Sequence, residues 1–258
     1  AHAHACPWNA FAHVNAAING YLHIIKWLYR HNCPWNELVA YRAACHGHLA
    51  ILQWVVAHGC PWNEGTCTAA AIGGHLEILQ WARANGCPWD KYTCIQAAVE
   101  GNLHILQWAH DNGCPREDTI CMFAARKGHL AVLQWARANG YDWNASLCAD
   151  AANHGHLAFV QWAHANGCPW DAQTCSNAAR RGHLDILKWV RERGCPWDSR
   201  TCTNAAANNH LDILQWARAH GCPWTISTYL EAERCRHTAV VKWAVANGCP
   251  NQHQATHF

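Results

Sequence analysis

Cysteine and histidine are the side chains of this chain that could bind a metal or carry out thiol chemistry, and both are abundant. There are 17 cysteines and 21 histidines among 258 residues. Apart from Cys45 and Cys235, the cysteines fall into two columns with a spacing of 27 residues or a multiple of it. The first column is Cys6, Cys33, Cys60, Cys87, Cys114, Cys168, Cys195, Cys222 and Cys249, and the second is Cys67, Cys94, Cys121, Cys148, Cys175 and Cys202.

Disulfide pairing down either column is excluded by the repeat spacing. Equivalent residues of adjacent helical repeats should be about 10 Å apart, whereas a disulfide needs Cα atoms within about 7 Å. Pairing within a repeat stays open, although a disulfide that every repeat required would lose both of its cysteines together in repeats that lack it. We favour reduced cysteine packed as a small apolar side chain, which indicates a cytoplasmic protein. The pairs left open are Cys60–Cys67, Cys87–Cys94, Cys114–Cys121, Cys168–Cys175 and Cys195–Cys202.

Seven histidines form a third column with the same spacing. A zinc site needs about four Cys or His ligands that converge on one point, and no Cys-x-x-Cys spacing occurs. We therefore predict no metal and no cofactor, and expect these histidines to satisfy backbone groups at helix ends. The column is His48, His75, His129, His156, His183, His210 and His237.

No pattern in the sequence indicates catalysis. There is no phosphate-binding loop, no nucleophile elbow and no single Ser-His-Asp set, so we predict that the protein is not an enzyme. The net charge of +2 is too small to predict nucleic-acid or membrane-surface binding. No apolar run approaches the roughly 18 residues of a membrane span, and 51% hydrophobic residues argue against a disordered chain.

The spacing itself predicts the fold. A Cys-Pro-Trp triplet recurs with the 27-residue period, and all 17 tryptophans fall into two columns of it. A chain of 258 residues is long for one compact core, but a solenoid escapes that limit because each repeat contacts only its neighbours. We expect the tryptophans to fill gaps between repeats, with a tryptophan-lined ligand groove as the alternative.

One repeat predicts two helices. Asp90 is an N-cap candidate, and Gly101 ends the first helix. The second helix runs from about Leu103 to about Asn112 and stops before Pro115. The sequence therefore predicts an all-α solenoid of about nine helix-turn-helix repeats that forms a single domain over residues 1–258, starting and ending inside a repeat.

These residues resemble the ankyrin repeat. The segment from Ala70 to Leu79, AAIGGHLEIL, is similar to the Ala-Ala-x-x-Gly-His-Leu-Glu-Val-Val core of that family, and Asn85-Gly86-Cys87 to its Asn-Gly-Ala. The resemblance covers nearly the whole chain. Because an ankyrin repeat has about 33 residues, about six are missing between Asp90 and Thr93, and we expect no β-hairpin fingers. The short variant is similar to arrays in giant DNA viruses, amoebae, oomycetes and algae.

The resemblance implies a protein–protein interaction scaffold that binds another protein on a concave helical face, in the cytoplasm or, for a viral protein, in the host cytoplasm or the virion. Partner identity should be encoded by first-helix positions that differ between repeats. The alternatives are a structural protein that assembles into filaments through open solenoid ends, and a metal or thiol-redox array. The predicted binding residues are Arg42, His46, Gln96, Glu100, Phe123, Lys127, Asp150, His154, Asn177, Arg181, Asn204, Asn208 and Glu231.

Overall fold

A computed structural model describes residues 10–251, so Cys6 and Trp8 lie outside the described part. That part is helical and contains no strand, which confirms the predicted helix pairs without β-hairpin fingers. Odd-numbered helices are the first helices of the repeats and even-numbered helices the second. The helices are α1 (Ala10–Ile18), α2 (Leu22–Arg30), α3 (Glu37–Cys45), α4 (Leu49–Ala57), α5 (Glu64–Gly73), α6 (Leu76–Ala84), α7 (Lys91–Val99), α8 (Leu103–Asp111), α9 (Ile120–Lys127), α10 (Leu130–Ala138), α11 (Ala145–Asn153), α12 (Leu157–Ala165), α13 (Ala172–Arg181), α14 (Leu184–Glu192), α15 (Ser199–Ala207), α16 (Leu211–Ala219), α17 (Ile226–Arg234) and α18 (Thr238–Ala246).

The first helices begin at the predicted N-caps. The Asp90 carboxylate accepts a hydrogen bond from the backbone N–H of Tyr92 at 2.9 Å, which satisfies one of the free donors at the start of α7. Asn36, Asn63, Asn144, Asp171 and Asp198 do the same at the starts of their helices.

A left-handed residue separates the two helices of each repeat. Gly101 has a φ of 74°, a conformation that glycine adopts without steric cost. In the last repeat Arg236 holds the same position with a φ of 60°. The turn is therefore kept where a side chain strains it, which shows that the angle between the helices is set by the packing of the repeats.

The chain divides into two compact units, with the boundary between Ile120 and Cys121. In the first unit α3 packs against α5 and α5 against α7, and in the second unit α11, α13, α15 and α17 pack in sequence. Their contact surfaces are alanines such as Ala97 and Ala98, which are fully buried. Small side chains let adjacent first helices approach closely. The second helices add larger core residues such as Ile105 and Leu106.

The tryptophans lie between neighbouring repeats, as expected, but at the edge of the core rather than inside it. Between residues 10 and 251 none of them is classed as buried, and Trp27 is 46% exposed. In α6 the core positions belong to Ile78, Leu79 and Ala82, and Trp81 lies half-buried beside them. A nine-residue helix has room for three side chains on its core-facing stripe, and the indole N–H is better placed near water.

We predict that enlarging an alanine between first helices disrupts the packing. Ala43→Leu places extra methyl groups where Ala43 is 0% exposed, and it should lower the free energy of unfolding by about 1–3 kcal/mol. Ala57→Leu, at an exposed position of α4, is the matched control and should cost less than about 0.5 kcal/mol. Urea unfolding followed by circular dichroism measures both; equal costs would contradict the close contact of α3 with its neighbours.

Candidate functional site

The predicted binding residues lie on the first helices or directly after their ends, in two columns one helical turn apart. We call these positions, in each of the two units, the first-helix face. The earlier column, which includes Gln96 and Asn177, is half-buried, whereas the later column is exposed. The exposed members are His46, Glu100, Lys127, His154, Arg181 and Asn208, and the half-buried members are Arg42, Gln96, Phe123, Asp150, Asn177, Asn204 and Glu231.

Some half-buried members of the first-helix face bond to the neighbouring repeat. The Asn177 side chain donates to the carbonyl of Ala149 at 3.1 Å, and that of Asn204 donates to the carbonyl of Ser176 at 3.1 Å. Each bond joins one first helix to the preceding one. These two asparagines therefore join neighbouring repeats, whereas His154 and Asn208 of the exposed column bond a carbonyl of their own helix.

Positive charge collects at the ends of α9 and α13. Arg126, Lys127, Arg180 and Arg181 are exposed there, where the helix dipole favours cations. Asp150 forms an ion pair with Arg126 at 3.2 Å, and the pair is too exposed to add much stability. Part of the face in the second unit is therefore basic, which suits an acidic ligand.

The histidine column joins repeats through hydrogen bonds. The Nε2 atoms of His48, His156 and His237 lie 3.1 Å from backbone carbonyls 30 residues earlier, where the previous first helix ends. Asn102 replaces histidine once and donates to the carbonyl of Ala71 at 2.8 Å. A Cβ at Gly20 would lie 2.8 Å from the His48 ring. The prediction that these histidines satisfy helix ends is confirmed for His48, His156 and His237.

The cysteine columns meet in a way that the sequence analysis missed. The thiol of Cys87, which follows the second helix, lies 3.3 Å from the carbonyl of Asn63 at the start of α5, next to Cys67 of the same repeat, and Cys67 with Cys60 was the combination that the sequence had left open. Among the described residues, no cysteine is in a disulfide. In that same part of the chain no three His, Cys, Asp or Glu side chains converge to hold a metal.

The tryptophans form a second repeated feature, on the side of the second helices. The two columns touch between adjacent repeats, as in Trp197 of one repeat and Trp216 of the next, whose ring centroids are 6.0 Å apart. The Arg191 guanidinium lies 4.0 Å from the Trp197 ring centroid and donates to the carbonyl of Cys195. Arg83 and Arg218 make the same two contacts.

This clamp holds the Cys-Pro-Trp loop to the second helix. Because the arginine stacks on the indole and also bonds the loop, the tryptophans are better explained as loop anchors than as a ligand groove. A sequence signal existed: six residues before the loop tryptophan lies a cationic or aromatic residue in most repeats. These are Tyr29, Arg83, Arg137, His164, Arg191 and Arg218.

Comparisons with known proteins support the repeat fold rather than a particular binding partner. Residues 148–191 match the family model for ankyrin repeats in many copies. The crystal structure of the human ASB11 ankyrin repeat domain matches with a TM-score of 0.53 at 16% identity, over 61% of this chain and 84% of that one. No curated protein matches. Along the described chain, no helix is both long and apolar enough to traverse a lipid bilayer.

We predict that His48→Ala destabilises the first unit by about 1–3 kcal/mol, because the carbonyl of Ile18 loses its partner. His48→Asn should recover part of the loss, since Asn102 makes the equivalent bond. The control is His46→Ala, an exposed histidine whose ring bonds the carbonyl of Arg42 in its own helix. Thermal unfolding compares the three variants, and an Asn variant no better than Ala would contradict the hydrogen-bonding role.

We also predict that stability falls in mild acid. Burial lowers the pKa of His183 below its usual 6.5, and Asp185 opposes this effect, while the carbonyl of Asn153 and the rings of His156 and His210 also face it. The unfolded chain takes up the proton first, so the contribution of His183 is complete above pH 6.5 and is lost as the pH falls. The melting temperature should therefore drop between about pH 7 and about pH 5. His183→Asn should flatten this dependence, and the exposed His220→Asn should not.

Proposed function

We propose that this protein, which has the fold of the ankyrin repeats, is a non-catalytic scaffold that binds another protein through its first-helix face. The chain is proposed to act in the cytoplasm. The observation that carries the proposal is the exposed column of that face, where six side chains of five different kinds occupy equivalent positions on a uniform framework.

Uniformity of the framework supports this assignment. Caps, inter-helix glycines, alanine contacts and histidine bonds recur with the same geometry from repeat to repeat. The positions that differ in charge and size are exposed ones such as Glu100, Lys127 and Arg181. Exposed variable side chains on a rigid support can encode one partner's surface, as in solenoid binding faces generally.

The kind of partner follows from charge and shape. Lys127 and Arg181 belong to the basic part of the face, and Phe123 contributes a half-buried aromatic ring on the same helix as Lys127. Aromatic and arginine side chains dominate the binding energy of many protein interfaces. We therefore propose that the bound segment carries carboxylates next to an apolar residue.

We predict that binders selected from a peptide library against the purified chain depend on this face. Lys127→Glu and Arg181→Glu should each weaken binding of an acidic peptide by tenfold or more, which corresponds to about 1.4 kcal/mol. Raising the salt concentration should weaken it further, because exposed charges are screened. The affinities are measured by isothermal titration calorimetry.

The control is Lys188→Glu, which makes the same charge change at an exposed position of a second helix and should leave binding unchanged. Binders that respond to Lys188 and not to Lys127 would place recognition on the opposite side. Light scattering that grows steeply with protein concentration, together with no peptide binding, would instead favour the filament-forming alternative.

A further inference from the structure

Five repeats bring two thiols close together. In each, the Sγ atom of the cysteine in the Cys-Pro loop lies 3.3–3.6 Å from the N-cap carbonyl of the first helix, beside the first-helix cysteine 20 residues earlier. We call these five the dithiol pairs, and their members are buried. They are Cys67–Cys87, Cys94–Cys114, Cys148–Cys168, Cys175–Cys195 and Cys202–Cys222.

The loop thiol lies at the start of the first helix. The Sγ atom of Cys87 is 3.3 Å from the carbonyl of Asn63, the N-cap of α5, and that of Cys222 is 3.5 Å from the carbonyl of Asp198. The helix hairpin thus returns the chain to the point where the repeat began. A bond between the two sulfurs would cross-link the first turn of the first helix to the end of the second.

In three pairs the pKa of the loop thiol is lowered, whereas in Cys148–Cys168 the pKa of the first-helix thiol is lowered instead. The hydrogen bond from Cys67 lowers the pKa of Cys87, burial opposes this, and the Arg83 guanidinium adds to the lowering. Cys222 is affected in the same directions by Cys202, burial and Arg218. By contrast, burial raises the pKa of Cys60 to about 12, and the equivalent first-helix position there is Ala40.

A short opening of the loop is enough to reach this thiol. Gly86 and Pro88, on either side of Cys87, are exposed, so only local movement of the loop is needed. Local openings of this kind occur at far lower free energy than global unfolding.

We propose that the dithiol pairs are sites of reversible oxidation to intra-repeat disulfides by small-molecule disulfides. One thiolate of a pair attacks one sulfur of the oxidant RSSR, forming a mixed disulfide and releasing RS⁻. The other thiol then loses its proton and attacks the protein sulfur of the mixed disulfide, forming the protein disulfide and releasing a second RS⁻. The two protein thiols are oxidised, and RSSR is reduced to two thiols.

Oxidation is not required for folding. Repeats with Ala40 opposite Cys60, or with Tyr229 opposite Cys249, keep the same helix pair. A disulfide would therefore act on a structure that is already formed, and it would stabilise the repeat by restricting the unfolded chain.

The test exposes the reduced, full-length chain to oxidised glutathione under native conditions, alkylates the remaining thiols after unfolding, and maps the disulfides by peptide mass spectrometry. We expect bonds between cysteines 20 residues apart, a higher melting temperature, and reversal of both by a phosphine reductant. Cys87→Ser should remove one disulfide. Cys60→Ser changes a loop cysteine that faces Ala40 and should remove none.

A gain-of-function variant guards against misfolding of the serine variants. Ala40→Cys supplies the missing thiol opposite Cys60 and should add one disulfide to the map. Bonds between other cysteines, mixed disulfides that never resolve, or thiols that stay reduced under native conditions while the urea-unfolded chain oxidises would each overturn the proposal.

Discussion

The close contact between successive first helices is the constraint on which the rest of this structure depends. Fully buried alanines such as Ala97 and Ala98 let these helices approach closely, and the constant 27-residue spacing keeps neighbouring repeats within each unit in the same register. A hydrogen bond that fits once therefore fits again. The carbonyl at the end of one first helix meets the histidine that starts the next second helix, and each loop thiol meets its own N-cap carbonyl.

The sequence was sufficient to predict the helices, their caps and the role of the histidines. Those features depend on local chemistry: Asp90 caps because its carboxylate reaches an N–H two residues later, and Gly101 turns the chain because it tolerates a positive φ. The partner of Cys67 was missed for a non-local reason. Cys60 is nearer along the chain, but the second helix runs antiparallel to the first and brings Cys87 back to it.

The tryptophans show a second limit of sequence reasoning. Periodicity tells which residues share a helix face, but it does not tell how much of that face is covered. In α6, Ile78, Leu79 and Ala82 complete the buried stripe, so Trp81 is left at its edge. What the indoles do there depends on Arg83, which stacks on Trp89 and bonds the loop carbonyl. The arginine, the indole and the loop carbonyl make this contact together. Its only sign in the sequence is a positively charged residue that recurs at the same position in several repeats.

The binding face and the thiol chemistry are connected by the same helices. The variable residues of the face lie in the second half of each first helix, and the first-helix cysteine lies near its start. A bond from Cys175 to Cys195 would fix the beginning of α13, the helix that carries Asn177 and Arg181. The side chain of Asn177 also donates to the carbonyl of Ala149 on α11. The helix α13 would then be joined both to α11 and to the loop that contains Cys195. Rigid positioning of this kind reduces the entropy lost on binding, so the oxidation state of the core could set how strongly the face holds its ligand.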